Sequence, residues 1–99
     1  MNGKESSIEN YLRKRVKALG GETRKCIYQG RKGALDDWCF FPGGRLLIVE
    51  CKRPRKNSLD PLQEVELKFL VDNGFNAVWV NSKEQVDQVL KDFFSAAGL

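Results

Sequence analysis

Two apolar runs, DDWCFF at residues 36–41 and RLLIVECK at residues 45–52, are separated only by Pro42-Gly43-Gly44. Strand-forming runs on either side of so short a Pro/Gly linker have one simple way to pair, as an antiparallel hairpin. The hairpin dictates much of what surrounds it, because Leu46, Leu47, Ile48 and Val49 are apolar without alternation, the pattern of a strand covered on both faces. The same strand nevertheless ends in Glu50 and Lys52, two residues apart and therefore on one side of the sheet.

The remaining segments supply the cover. Ser6 and Glu9 make a capping-box pattern, and Ile8, Tyr11, Leu12, Val16 and Leu19 recur at helical spacing, which predicts a helix from about Ser7 to Leu19, stopped by Gly20-Gly21. TRKCIY reads as a short strand and QGRKGAL as a loop. Asp60, Pro61 and Gln63 open a second helix, with Leu62, Val65, Phe69 and Leu70 along one face and Asn73-Gly74 at its end. NAVWV reads as a buried strand, and Ser82 with Gln85 caps a last helix presenting Val86, Val89, Leu90, Phe93 and Phe94. The order is αβββαβα, an α/β architecture with a mixed sheet between helices, and residues 1–99 are read as one domain.

Composition removes whole classes of chemistry. Histidine is absent, which excludes Ser-His-Asp and Cys-His catalysis and histidine-ligated zinc; catalysis would have to rest on carboxylates, lysine and metal-activated water. Cys26, Cys39 and Cys51 are odd in number and widely spaced, and read as small buried apolar residues. The opening MNGKESSIEN lacks the apolar core of a signal peptide and no run is long enough to span a membrane, so an intracellular, cytoplasmic location is expected. Charge is segregated: residues 1–56 hold fourteen Lys/Arg against six Asp/Glu, residues 57–99 three against seven. A basic half of this kind suits a polyanion, and nucleic acid is the natural partner.

Hairpin geometry sorts the carboxylates. A two-residue Gly43-Gly44 loop would put Asp37 opposite Glu50, but it would also place Pro42, which has no N–H, at a paired position. A three-residue loop, with Pro42 second in a type I turn and Gly44 left-handed, sets Phe41 opposite Arg45 and Asp36 opposite Glu50. Asp36, Glu50 and Lys52 then share a face. Two carboxylates so close repel unless one is protonated or a cation lies between them, and oxygen-only donors suit Mg²⁺ or Mn²⁺.

Gly-Ala-Leu-Asp-Asp at 33–37, the Pro-Gly-Gly-Arg hairpin, Val-Glu-Cys-Lys at 49–52 and Ser-Leu-Asp-Pro-Leu-Gln at 58–63 together resemble the virus-type replication-repair nuclease (VRR-NUC) domain of the PD-(D/E)xK superfamily. The resemblance implies a restriction-endonuclease-like core. It implies that Asp36 and Glu50 are metal-binding carboxylates, with the carbonyl of Cys51 and the carboxylate of Glu9 as further ligands, that Lys52 is the catalytic lysine, and that Gln63 orders the site. Two positions depart from the pattern: Leu35 stands where a proline is usual, and Asp37 where an arginine often follows. Asp37 is left as the alternative ligand should the hairpin carry the two-residue loop.

The resulting expectation is a Mg²⁺-dependent, structure-selective DNA endonuclease, a homodimeric Holliday-junction resolvase, using no nucleotide cofactor and no membrane. Arg24, Lys25, Arg31, Lys32, Arg53, Arg55 and Lys56 are the expected DNA-backbone contacts. The rivals are a flap, 5′-end or restriction-type nuclease of the same fold, and a DNA-binding module without turnover.

Overall fold

The computed structural model describes residues 4–96, with side chains from Ser7 onward. The elements are α1 (Lys4–Ala18), β1 (Glu22–Lys25), β2 (Asp37–Phe41), β3 (Arg45–Cys51), α2 (Pro61–Asp72), β4 (Asn76–Val80) and α3 (Lys83–Ala96), in the αβββαβα order. The strands form one sheet in chain order. Neighbours are antiparallel from β1 to β3, whereas β3 and β4 run parallel, joined by the α2 crossover that a parallel pair requires.

The period of two along β3 divides the core. Leu47, Val49 and Cys51 pack with Ile8, Leu12 and Val16 of α1 and with Val86, Leu90 and Phe93 of α3. Ile48 turns the other way, toward Leu35, Leu70 and Ala77. Both faces of β3 are therefore dry, which accounts for the unbroken LLIV run and gives the strand's end a fixed position. The first residue beyond β3 stays in the ladder, since the Lys52 N–H donates to the Val80 carbonyl at 2.8 Å.

Phe41 pairs with Arg45 across the hairpin, as the three-residue loop demands. The turn type differs from the expectation: Gly43 as well as Gly44 has positive φ, +86° and +75°. Positive φ at the third turn residue is the signature of type II, with Pro42 before it, so both glycines are needed there.

Three other readings require correction. Helix α1 begins at Lys4 rather than Ser7, so Ser6 lies inside it instead of capping it; the Ser6 side chain falls outside those described. Strand β1 stops at Lys25, and Cys26, Ile27 and Tyr28 lie beyond it. On α2 the stripe Leu62, Val65 and Phe69 is exposed, while Glu66 and Leu70 are buried. Helix α3 keeps its cap, the Ser82 hydroxyl accepting the Gln85 N–H at 3.1 Å. Cys39 and Cys51 are buried, Cys26 is half-buried, and all three are free thiols.

Candidate active site

Five chain segments meet at one end of the sheet. Strand β3 ends there with Glu50 and Lys52, the 26–36 loop ends there with Asp36, and β1 ends there with Lys25. Helix α1 brings Glu9, and the N-terminus of α2 brings Asp60. The close of β1 is tied directly to the start of β2, because the Cys26 N–H donates to the Asp36 carbonyl at 2.8 Å.

Glu50 is 2% exposed, on the α2 side of the sheet. Its Oε1 accepts the Asp36 backbone N–H at 2.9 Å, and its Oε2 lies 3.3 Å from the Lys52 Nζ. Lys52 in turn lies 3.6 Å from Oδ2 of Asp60, the N-cap of α2, so the ammonium spans from the strand to the helix. Burial pushes the Glu50 carboxyl above its ordinary range and the negative charge of Asp36 adds to that push, while the Asp36 N–H and Lys52 counter it. The structure thus brings Asp36, Glu50 and Lys52 to one end of the sheet, with Asp36, one residue before β2, meeting Glu50 through its backbone N–H.

Gln63 does not join them by contact. Its Oε1 accepts the Asp60 backbone N–H at 3.4 Å, a weak helix-capping interaction. Glu9 reaches the site indirectly. Its Oε2 is 2.6 Å from the Lys25 Nζ and 3.5 Å from Arg13, and the same Lys25 Nζ stands 3.6 Å from Asp36 Oδ2. Lys25, expected as a DNA contact, is therefore a bridge between two carboxylates.

Asp37 faces the opposite way, into the α1 layer. It is fully buried, and among the described residues neither carboxylate oxygen is offered a hydrogen bond; Arg13 stands off at 3.6 Å. Burial, reinforced by the neighbouring Glu9, raises the Asp37 carboxyl to about 8. Burial would raise Glu9 too, but its contacts with Asp37, Lys25 and Arg13 outweigh that and lower it. The consistent arrangement is a protonated Asp37 donating to an ionised Glu9, since two ionised carboxylates cannot hydrogen-bond each other.

The donors that face the Glu50 side fit a hard divalent cation. They are all oxygen, and the mutual repulsion of Asp36 and Glu50 is what such an ion would relieve. Among the described residues no three His, Cys, Asp or Glu side chains group to hold a metal, which limits the side-chain donors here to two. Mg²⁺ tolerates this, because it keeps several waters and is commonly held by one or two carboxylates.

The basic residues flank this end. Arg53 and Arg55 are exposed just past Lys52, and the turn they form is held by Asn81 Nδ2 donating to the Lys56 carbonyl at 2.7 Å. Arg55 has a φ of +74°, a left-handed conformation unusual for a side chain-bearing residue. Arg24, close to Glu22, and Lys32 are exposed. Arg31 is partly committed, 3.4 Å from Glu66 and over the Tyr28 ring.

Glu66 is a residue that the sequence pattern concealed. It is buried and accepts the Tyr28 hydroxyl at 2.7 Å as well as Arg31, fastening the 26–36 loop to α2. Gly33 sits in the same contact with φ +100°, where a Cβ would come within 2.7 Å of the Leu62 carbonyl. The loop that delivers Asp36 is thereby pinned at two points. Burial also raises the thiol of Cys39, to about 12, so that it stays a neutral core residue.

No family model matches the chain. Comparison with curated proteins finds a relative that is 39% identical over 81 residues, covering 82% of this chain and 86% of that protein, named "Putative nuclease p44", from Acyrthosiphon pisum secondary endosymbiont phage 1. Among solved structures, a VRR_NUC domain superimposes with a TM-score of 0.85 at 36% identity, covering 89% of this chain and 95% of its own. Fold, motif geometry and both likenesses agree: the chain belongs to the VRR-NUC family.

Proposed function

We propose that this protein is a Mg²⁺- or Mn²⁺-dependent, structure-selective DNA endonuclease, working as a homodimeric Holliday-junction resolvase. The observation that carries the reading is the convergence of Asp36, Glu50 and Lys52 at the rigid end of a strand buried on both faces. The name of the phage relative supports nuclease chemistry.

Asp36 and Glu50, with the Cys51 carbonyl, would hold the ion, and Glu9 would join them once Lys25 moves. When bound, the ion supplies Lewis-acid stabilisation of charge on the scissile phosphate and lowers the pKa of water. Lys52, held between Glu50 and Asp60, presents a fixed ammonium to the phosphate oxygens or to the attacking water. Gln63 keeps the start of α2, and with it Asp60, in register behind Lys52. Arg24, Arg31, Lys32, Arg53, Arg55 and Lys56 position the duplex through its phosphates.

Resolving a four-way junction takes two incisions, and one domain of this size holds one site, so two copies are required. The exposed stripe Leu62, Val65 and Phe69 on α2 supports a second copy of this chain as its cover. A phage-type nuclease acts inside the infected cell, and no helix among the described residues is long and apolar enough to cross a membrane.

One observation favours a second reading, a DNA-binding module without turnover: among the described residues the acidic side chains facing the site form no group of three. The test is a panel of labelled four-way junction, flap, nicked and linear duplex DNA, with and without Mg²⁺ or Mn²⁺, alongside a solution mass. Paired symmetric incisions of the junction by a dimer, lost in Lys52→Ala with binding retained, are expected. Metal-independent binding without product on any substrate would establish the second reading, and cutting of flaps or linear duplex alone would reassign the substrate.

A further inference from the structure

Lys25 stands apart from the other basic residues of this surface. Its Nζ is 2.6 Å from Glu9 Oε2, a short charge-assisted contact, and 3.6 Å from Asp36 Oδ2. The two carboxylates come from different layers, Glu9 from helix α1 and Asp36 from the loop before β2, so the ammonium bridges the two. Its own backbone is fixed, because the adjoining Cys26 N–H is bonded to the Asp36 carbonyl. Its side chain is not confined, being 51% exposed against 16% for Glu9. Glu9, Asp36 and the buried Asp37 all lend it negative surroundings, and Arg13 shares Glu9 with it at 3.5 Å.

We infer that Lys25 is an exchangeable internal cation, which holds Glu9 and Asp36 together in the free protein and has to be displaced when a divalent ion takes those carboxylates. The inference rests on the metal-dependent reading given above. A monovalent ammonium on a flexible stem satisfies the acids in the resting protein and cannot compete with a divalent ion at saturating concentration. At low concentration it lowers the ion's affinity, both by occupying Asp36 and by like-charge repulsion. Once displaced, Lys25 is released at the edge strand, beside the exposed Arg24, where a DNA phosphate is its natural partner. Lys25 is accordingly a positioning residue, acting on the ion through Glu9 and Asp36.

The test is Mn²⁺ titration of the DNA-free protein, followed by the electron paramagnetic resonance signal of unbound Mn²⁺, for wild type, Lys25→Ala and Lys25→Arg, with circular dichroism melts to establish folding. Lys25→Ala should bind Mn²⁺ about fivefold more tightly, the scale of one exposed-to-half-buried ion pair. Lys25→Arg, which keeps the charge, should stay close to wild type. A folded Lys25→Ala with unchanged or weaker Mn²⁺ affinity would overturn the inference while leaving the metal site intact. Absence of Mn²⁺ binding in all three proteins would instead overturn the metal-dependent reading itself.

Discussion

At the turn end of the β2–β3 hairpin, Arg45 lies over the rings of Phe93 and Phe94 at 4.7 and 4.5 Å, and those rings pack edge-on with each other and close to Phe41. At the other end of the same two strands, Glu50 and Asp37 are buried with their carboxyls raised, and the compensating charges stand off at 3.3–3.6 Å. One end buries aromatic surface and needs nothing further. The other buries charge, which costs free energy unless it is fully paired. The packing of the turn end carries no such cost, whereas the site end is held in an unfavourable electrostatic state by the packing behind it. Groups kept in that state cluster at functional sites rather than in the scaffolds that carry them.

The contrast yields opposite responses to substitution at the two ends. Glu50→Gln should lower cleavage by about a thousandfold, the scale of losing a preorganised electrostatic group. It should also raise the melting temperature in EDTA above that of the wild type at pH 8, because the amide removes a carboxylate that burial disfavours while still accepting the Asp36 N–H. Nuclease assay and calorimetry on one preparation check both halves; a variant that loses activity and stability together would erase the distinction between the ends. Phe93→Ala, at the turn end, should destabilise by about 3–5 kcal/mol, the usual cost of emptying a buried aromatic site. Its cleavage rate per folded molecule should stay at the wild-type level, as denaturant titration and assay well below the melting temperature would establish.

The sequence made one end of the hairpin easier to read than the other. The register was legible because Pro42 cannot donate a ladder hydrogen bond, and once Phe41 was opposite Arg45 the count along the strands set the backbone of Asp36 beside Glu50. The aromatic cluster was half-visible, since Phe93 and Phe94 continue the apolar face of α3. The carboxylate pair of Glu9 and Asp37 was not, because nothing local indicates that a residue on a helix will meet a strand residue far along the chain. On α2 the rule that the apolar stripe is the buried one failed. Glu66 takes the inward place because two donors, Tyr28 and Arg31, arrive from a loop whose path the sequence does not reveal.

Asp37→Asn probes the burial of charge without touching the face on which Glu50 lies. In the folded protein its carboxyl titrates near 8, against an ordinary value of 3.8. Between those values the folded chain holds a proton that the unfolded chain has released, so this residue makes stability fall as pH rises from about 4 to about 8. Replacing it with asparagine removes that slope. The melting temperature should rise by a few degrees at pH 8 in EDTA, and the gain should shrink toward pH 4. A constant difference across that range would mean that Asp37 carries no raised pKa, and a loss at pH 8 would mean that its charge is paired after all.

The smallest effect should come from the loop that delivers Asp36. Glu66→Ala removes the acceptor that Tyr28 and Arg31 share, and both donors are partly exposed and free to turn to water. The global cost should therefore be modest, about 1–2 kcal/mol, rather than that of a buried charge left alone. The consequence should be local. Amide hydrogen exchange should quicken across residues 26–36 and stay unchanged in β3 and β4, since the buried layer that packs on Leu47, Val49 and Cys51 draws on α1 and α3 and takes no residue from that loop. Asp36 would then sample more positions, and the cleavage rate at limiting Mg²⁺ should fall more than the rate at saturating Mg²⁺. Exchange that quickens uniformly over the sheet would show instead that Glu66 supports the whole fold, and that the site end is no more loosely held than the turn.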